Sequence, residues 1–223
     1  MATGEEHNMT AMASNIDEAA ATLSDSGYDQ SAWSRSVTHI IAMADKQNVR
    51  TIGVTATQTG AGVSMLSRAI GESYIGFGKK TLLAHCSGTA NQKTKLERDD
   101  NGEVLLPPTM TSTLMQPTVL SLPEIIDADM PHHKARNHLN ELTAQFDVIV
   151  VDLPPVSIAP GRSTPEFMRF APLCDLIFLI CVTNITPREE LRDCLEQCII
   201  NDAKLGGIIM NDRQLIGSEL VAS

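Results

Sequence analysis

Six residues, Gly60, Ala61, Gly62, Val63, Ser64 and Met65, follow the short β-branched run Thr51–Ala56 and precede a helical pattern. Two glycines at this spacing, between a strand and a helix, make the permissive backbone of a loop that grips phosphate through its N–H groups. Such a loop needs a lysine, and Val63 stands in its place. Taken alone, a Gly-x-Gly after a strand also serves simply to let a helix start close to a sheet. A second candidate is Asp152, which closes the apolar run Val148–Val151 just before Leu153, Pro154 and Pro155. An aspartate there can also do no more than cap the turn.

Positioning these groups requires a frame of strands and helices. Apolar residues recur at helical spacing from Trp33 to Met43, which predicts an amphipathic helix ahead of the first strand. Thr51–Ala56 then reads as strand, Gly60–Gly62 as loop, and Leu66, Ile70 and Tyr74 as the inner face of a helix. Further strands are predicted over Lys80–Ala84, Thr118–Leu122, Phe146–Asp152, Asp175–Val182 and Gly206–Asn211, with helices over Lys134–Phe146 and from Pro187 to about Asn201. The span Ser87–Pro117, full of polar residues, Gly and Pro, reads as a long irregular excursion. Strands apolar on both faces that alternate with helices specify an α/β fold, a doubly wound and mostly parallel sheet with helices on both sides. Ligands of such sheets bind beyond the carboxyl ends of the strands, so the loops after Ala56, Ala84, Asp152, Val182 and Asn211 share one functional edge.

The 223 residues suit one sizeable α/β domain, here 30–215, between an acidic N-terminal arm, 1–29, and a short C-terminal tail, 216–223. A formal net charge of −10 and the lack of any long Lys/Arg run argue against a nucleic-acid groove or a polybasic membrane patch. With no apolar run near the length of a membrane span and no basic-then-apolar leader, the expectation is a cytoplasmic chain without direct membrane insertion. Five cysteines, an odd number widely spread, are expected to be reduced and mostly buried. His85 with Cys86, and Cys194 with Cys198 one helical turn apart, do not supply the three or four convergent ligands that zinc requires.

The order of these elements, with TQTGAGVS after strand one, KTLLAHCS at strand two, FDVIVVDLPPV in the middle and GGIIMNDR at the end, resembles the cytoplasmic P-loop domain of bacterial tyrosine kinases. Those kinases belong with the polysaccharide co-polymerases of capsule and exopolysaccharide systems, among the MinD-like and partition-type ATPases. The resemblance covers roughly Ser31 to Arg213. It implies that Gly60, Ala61, Gly62, Val63, Ser64 and Met65 line a nucleotide site, that Ser64 and Asp152 are the Mg²⁺ positions, and that Asn211 and Arg213 lie near the adenine. Asp152 would be the catalytic acid of an active member.

Departures from the family pattern fall on the charged groups. Val63 replaces the lysine of the loop, and Gln58 stands where partition-type ATPases carry a second one. After strand two the family places two aspartates, and His85 and Ser87 occupy those positions. Lys79 and Lys80 enter strand two from the far end of the sheet, and Arg68 lies a full turn into the helix. In the helix that packs family members into rings, Trp33 and Arg35 remain but the paired arginines do not. The phosphorylated C-terminal tyrosine cluster is absent, since Tyr28 and Tyr74 are the only tyrosines.

The expectation is therefore a degenerate, pseudo-ATPase or pseudokinase member: a regulatory subunit of exopolysaccharide or capsular polysaccharide biosynthesis, peripheral at the inner membrane through a co-polymerase or chain-length partner. Homo-oligomers are a further possibility, and no cofactor is expected. The alternative is an active ATP-binding tyrosine autokinase or ATPase of the same family, using ATP and Mg²⁺ and completed in trans by a partner. A MinD-like positioning factor ranks last.

Overall fold

A computed structural model of the chain describes residues 31–86, 97–98, 104–105, 117–126 and 129–212. The predicted arm, the tail, Ser87 and most of the excursion after it lie outside the described residues.

Six strands form one parallel sheet: β1 (Thr51–Ala56), β2 (Thr81–His85), β5 (Thr118–Ser121), β6 (Val148–Asp152), β9 (Leu176–Val182) and β10 (Leu205–Asn211), in the spatial order β10-β9-β1-β6-β2-β5. Two short antiparallel pairs stand apart from it: β3 (Glu97–Arg98) with β4 (Val104–Leu105), inside the stretch read as irregular, and β7 (Ser157–Ala159) with β8 (Arg162–Ser163). The helices are α1 (Ser31–Lys46), α2 (Val63–Gly76), α3 (His132–Gln145), α4 (Pro165–Phe170) and α5 (Arg188–Ile200). The α/β doubly wound architecture expected from the alternating pattern is the one observed.

β1 and β9 are buried along their whole length, which explains why both read as unbroken apolar runs. Each face of the sheet carries its own core. On one, α1 and α2 press Trp33, Ile40, Ile41, Leu66, Ile70 and Tyr74 onto Ile52, Val54, Val150 and Phe178. On the other, α3, α4 and α5 contribute Leu139, Leu142, Phe167, Phe170, Cys194 and Cys198 against Ile149, Val151, Ile177 and Leu179. Gly53, in the middle of β1, has no room for a side chain: a Cβ there would lie 2.9 Å from Cys174 Sγ and 2.9 Å from Leu153 Cδ1.

Several boundaries differ from the sequence reading for local reasons. The third predicted strand stops at Ser121 because Leu122–Glu124, with a proline at its second position, turns into a 3₁₀ helix. Pro187 is the N-cap of α5, one residue outside the helix it was expected to start. The β7–β8 hairpin, turning through Gly161 at φ 70°, and the two-turn α4 were not anticipated. Both are too short to show a period.

The cysteines Cys86, Cys174, Cys181, Cys194 and Cys198 are all free and buried. Burial pushes the Cys194 thiol up to about 12 and the Cys198 thiol up to about 11, and raises Cys86 and Cys174 as well. The folded state thus holds thiol protons that the unfolded chain releases near pH 9, so unfolding becomes easier as pH rises. Each such thiol subtracts about 1.4 kcal/mol per pH unit in that window. We expect the urea midpoint to hold level up to about pH 8 and to fall steeply by about pH 10, with a shallower fall in a Cys194→Ala, Cys198→Ala variant. A midpoint unchanged across this range would contradict the assignment.

Candidate functional site

The carboxyl ends of β1, β6, β2, β9 and β10 meet at one edge, and the loop after β1 crosses it. Gly60 and Gly62 both adopt the left-handed region, at φ 81° and 101°, and Gly62 is the N-cap of α2. The first bond of the α2 ladder runs from Leu66 N–H to Gly62 O, so the N–H groups of Val63, Ser64 and Met65 precede that ladder. Their partial positive charge at a helix N-terminus is the element of a phosphate loop that does not depend on side chains.

Side chains of the loop divide in two. Ser64 and Met65 are exposed, and Gly60 is exposed at the turn. Ala61 is fully buried, and Val63 is partly buried against the core cluster formed with α1. Val63 therefore packs on the core and brings no charge to the loop.

Two distant residues hold the loop in place. Asn211, at the end of β10, donates from Nδ2 to Ala61 O at 2.9 Å. Trp33, from α1, packs against the loop: a Cβ on Gly62 would sit 2.9 Å from the edge of its indole. The base of the loop is fixed too, since Thr57 N–H donates to Ile180 O at 3.0 Å, while the Thr57 and Thr186 hydroxyls share a 3.2 Å hydrogen bond.

Asp152 ends β6 and His85 ends β2, and the strand register sets them side by side. The imidazole Nδ1 and the carboxylate Oδ2 are 2.9 Å apart, with both side chains largely shielded, 21 % and 12 % exposed. The main chain reinforces the pair, because Cys86 N–H donates to Asp152 O. A charge-assisted bond of this kind occupies an oxygen that a hydrated metal ion would otherwise use.

As a Mg²⁺ site this arrangement does not fit. The ion prefers oxygen ligands and usually needs one or two carboxylates beside the substrate phosphates. Here Asp152 is engaged by an imidazole, Asp212 after β10 accepts from the Thr183 hydroxyl, and Ser64 brings a neutral hydroxyl. Among the described residues no group of three or more His, Cys, Asp or Glu side chains converges as a metal site.

The fold is shared with bacterial tyrosine kinase domains. The chain is similar to the BceF tyrosine kinase domain, at 18 % identity over 93 % of this chain and 89 % of that one, with a TM-score of 0.61. It is similar to the chimerical protein CapA2B2 at 19 % identity, covering 86 % and 87 %, TM-score 0.57. The kinase domain of the Escherichia coli tyrosine kinase ETK follows at 11 % identity, covering 86 % and 78 %, TM-score 0.56. No protein-family model and no curated protein matches the sequence, so the likeness is one of fold.

Within this tyrosine-kinase fold the residues named from the sequence gather as follows. Gly60, Ala61, Gly62, Val63, Ser64 and Met65 form the loop and the first turn of α2, Asn211 bonds to that loop, and Asp152 stands on the neighbouring strand. Arg213 lies outside the described residues. Neither Lys80 nor Arg68 replaces the lysine of the loop: Lys80 precedes β2 at the opposite end of the sheet, its N–H bonded to Asp147, and Arg68 acts on Glu72 one turn further along α2. Sequence reasoning missed the His85–Asp152 pair and the Trp33 contact. The only signal for the first was that each residue closes an apolar strand; that the two strands are neighbours in register is seen in the sheet.

Proposed function

We propose that the chain is a degenerate member of the bacterial tyrosine-kinase group. It would be a pseudo-ATPase that acts as a regulatory and binding subunit in exopolysaccharide or capsular polysaccharide assembly, through an inner-membrane co-polymerase partner. The observation that carries the reading is the His85–Asp152 pair at 2.9 Å, which turns the position of a metal-binding acid into a closed internal contact. Val63, packed on the core in place of a lysine, supports it from the other side of the site. Phosphoryl transfer depends on positive charge placed where negative charge accumulates, and Gly60–Met65 brings backbone dipoles and no charged side chain. A surface that no longer cycles with nucleotide can still serve as a fixed docking face. No described helix is long and apolar enough to cross a membrane, so attachment at the bilayer would run through the partner.

The rival reading, an ATP-dependent autokinase or ATPase completed in trans, draws on one observation. The N–H groups of Val63, Ser64 and Met65 precede the α2 ladder at the helix N-terminus, with the Ser64 side chain exposed beside them. Losing one charged hydrogen bond costs about 1.5–3 kcal/mol, or one to two decades in affinity.

Titration calorimetry with ATP and Mg²⁺ separates the two. For the pseudo-enzyme we expect no heat of binding up to about 1 mM ATP, and no dependence of any residual signal on Mg²⁺. Micromolar, Mg²⁺-dependent binding would sink it.

A further inference from the structure

The amino ends of the strands, opposite the phosphate-loop edge, carry a concavity of their own. A cavity of about 470 Å³ opens there, bounded by the turn after α1, by the residues that precede β1, β9 and β10, and by one side of α3. Its volume falls within the range of small-molecule pockets, roughly 300–1,000 Å³. The fold brings three cations to its wall from distant parts of the chain, Arg50, Arg136 and Lys204, and a single carboxylate, Asp175. On a chain of formal net charge −10, three cations beside one acid reverse the sign of the charge locally.

Structural duties account for part of this arrangement. Arg50 donates to the carbonyls of Thr143, Phe146 and Asp147 at the end of α3, and Arg136 donates to those of Pro172 and Leu173. Such bonds use up N–H groups without cancelling charge, and they fix both guanidiniums in place. Asp175 is largely spent: its Oδ2 accepts from the N–H groups of Arg50 and Thr51 at 3.1 and 2.9 Å, and its Oδ1 stands 4.0 Å from Arg136 Nη1. The carboxylate of Asp147, next to Arg50, accepts from Lys80 N–H at 2.9 Å. Three donors are left over, since Lys204 Nζ, Arg50 Nη1 and Arg136 Nε make no hydrogen bond among the described residues. Fixed cations with donors to spare are suited to an anion, because little freedom is lost when it binds.

The rest of the wall narrows the chemistry. Gln47, Asn48 and Asn140 offer amides, which suit hydroxyl groups, and no aromatic side chain lines the cavity among the described residues. A nucleobase would therefore find nothing to stack on. A bare phosphate would leave most of the space unfilled.

We infer that this cavity binds a small phosphate ester rich in hydroxyl groups, with its phosphoryl group on the cationic wall and its hydroxyls on the amides. The site stands apart from Gly60–Met65, at the other end of the sheet.

Calorimetric titration of the full chain at low salt tests this, with glucose 6-phosphate and glycerol 3-phosphate as probes. At least one of the two should bind with a Kd of about 10–500 µM, inorganic phosphate about tenfold more weakly, and glucose not at all. Lys204→Glu should abolish binding and Lys204→Arg should keep it within about threefold. Both variants should unfold at the parental urea midpoint, since the Lys204 ammonium holds nothing in the fold. No binding of either ester up to about 10 mM would overturn the proposal. Binding that survives Lys204→Glu would overturn it too, because the ligand would then sit elsewhere, as would inorganic phosphate binding as tightly as the esters.

Discussion

Gly62→Ala is expected to cost the fold about 2–5 kcal/mol, far more than a glycine-to-alanine change on a surface loop. Two penalties add at this position. The backbone has φ 101°, which an L side chain rarely adopts, and the new methyl would come within 2.9 Å of the Trp33 ring and 3.6 Å of Asn211 Nδ2. Neither neighbour can give freely, because Trp33 is buried in the α1 core and Asn211 holds Ala61 O. Chemical denaturation of Gly62→Ala, Trp33→Ala and the double variant would separate the terms. Trp33→Ala alone should cost about 3–5 kcal/mol for the lost packing. In that background Gly62→Ala should cost about 1–3 kcal/mol less than in the parent, because only the backbone strain remains. Equal costs in both backgrounds would show that the indole does not press on the loop.

His85→Asp should convert a stabilising pair into a repulsive one and make the protein respond to Mg²⁺. The register sets residue 85 beside Asp152, so two carboxylates would share a space now spanned by a 2.9 Å bond. Removing one partner of a largely shielded pair and adding a like charge is expected to cost about 2–4 kcal/mol near pH 7. One carboxyl of the new pair would have its pKa raised by its neighbour. The sign follows: the folded state would bind the extra proton more readily than the unfolded chain, so the deficit should shrink as pH falls toward about 5. Millimolar Mg²⁺ should recover part of the melting temperature of His85→Asp and leave the parent unchanged. Adding Val63→Lys and Ser87→Asp to this variant is expected to bring ATP affinity from beyond millimolar to within about 10–100 µM, at one to two decades per restored charged contact. If the triple variant stays silent toward ATP, the loop backbone itself, pressed by Trp33, is the obstacle. Stability that is unchanged in His85→Asp would remove the pair from the account altogether.

The parallel sheet was legible because burial on both faces leaves nothing to alternate: Ile177–Val182 and Val148–Val151 read as unbroken apolar runs, and only a doubly covered strand does so. The loop was legible because glycine is the residue that tolerates φ near 80–100°, as at Gly60 and Gly62. What the sequence hid was replacement as distinct from loss. It told that an acid was missing at position 85; that the substituted imidazole reaches across to Asp152 depends on register between strands 67 residues apart in the chain. Trp33 is a similar case. Its helical spacing announced a buried face without saying that the face ends on Gly62. Short pieces such as β7, β8 and α4 offered too few residues for any period, and Gly161 alone marked the turn between the first two.

The indole that braces the loop has one further consequence. Trp33 is the sole tryptophan of the chain, it is 6 % exposed, and its Nε1 has no hydrogen-bond partner among the described residues. An indole in a dry, apolar setting emits at short wavelength, and water or a polar group reaching Nε1 would redden it. The molecule thus carries an intrinsic optical gauge mounted directly on its candidate site. Anything that seats on the loop, or lifts α1 away from it, can be followed by colour without a label.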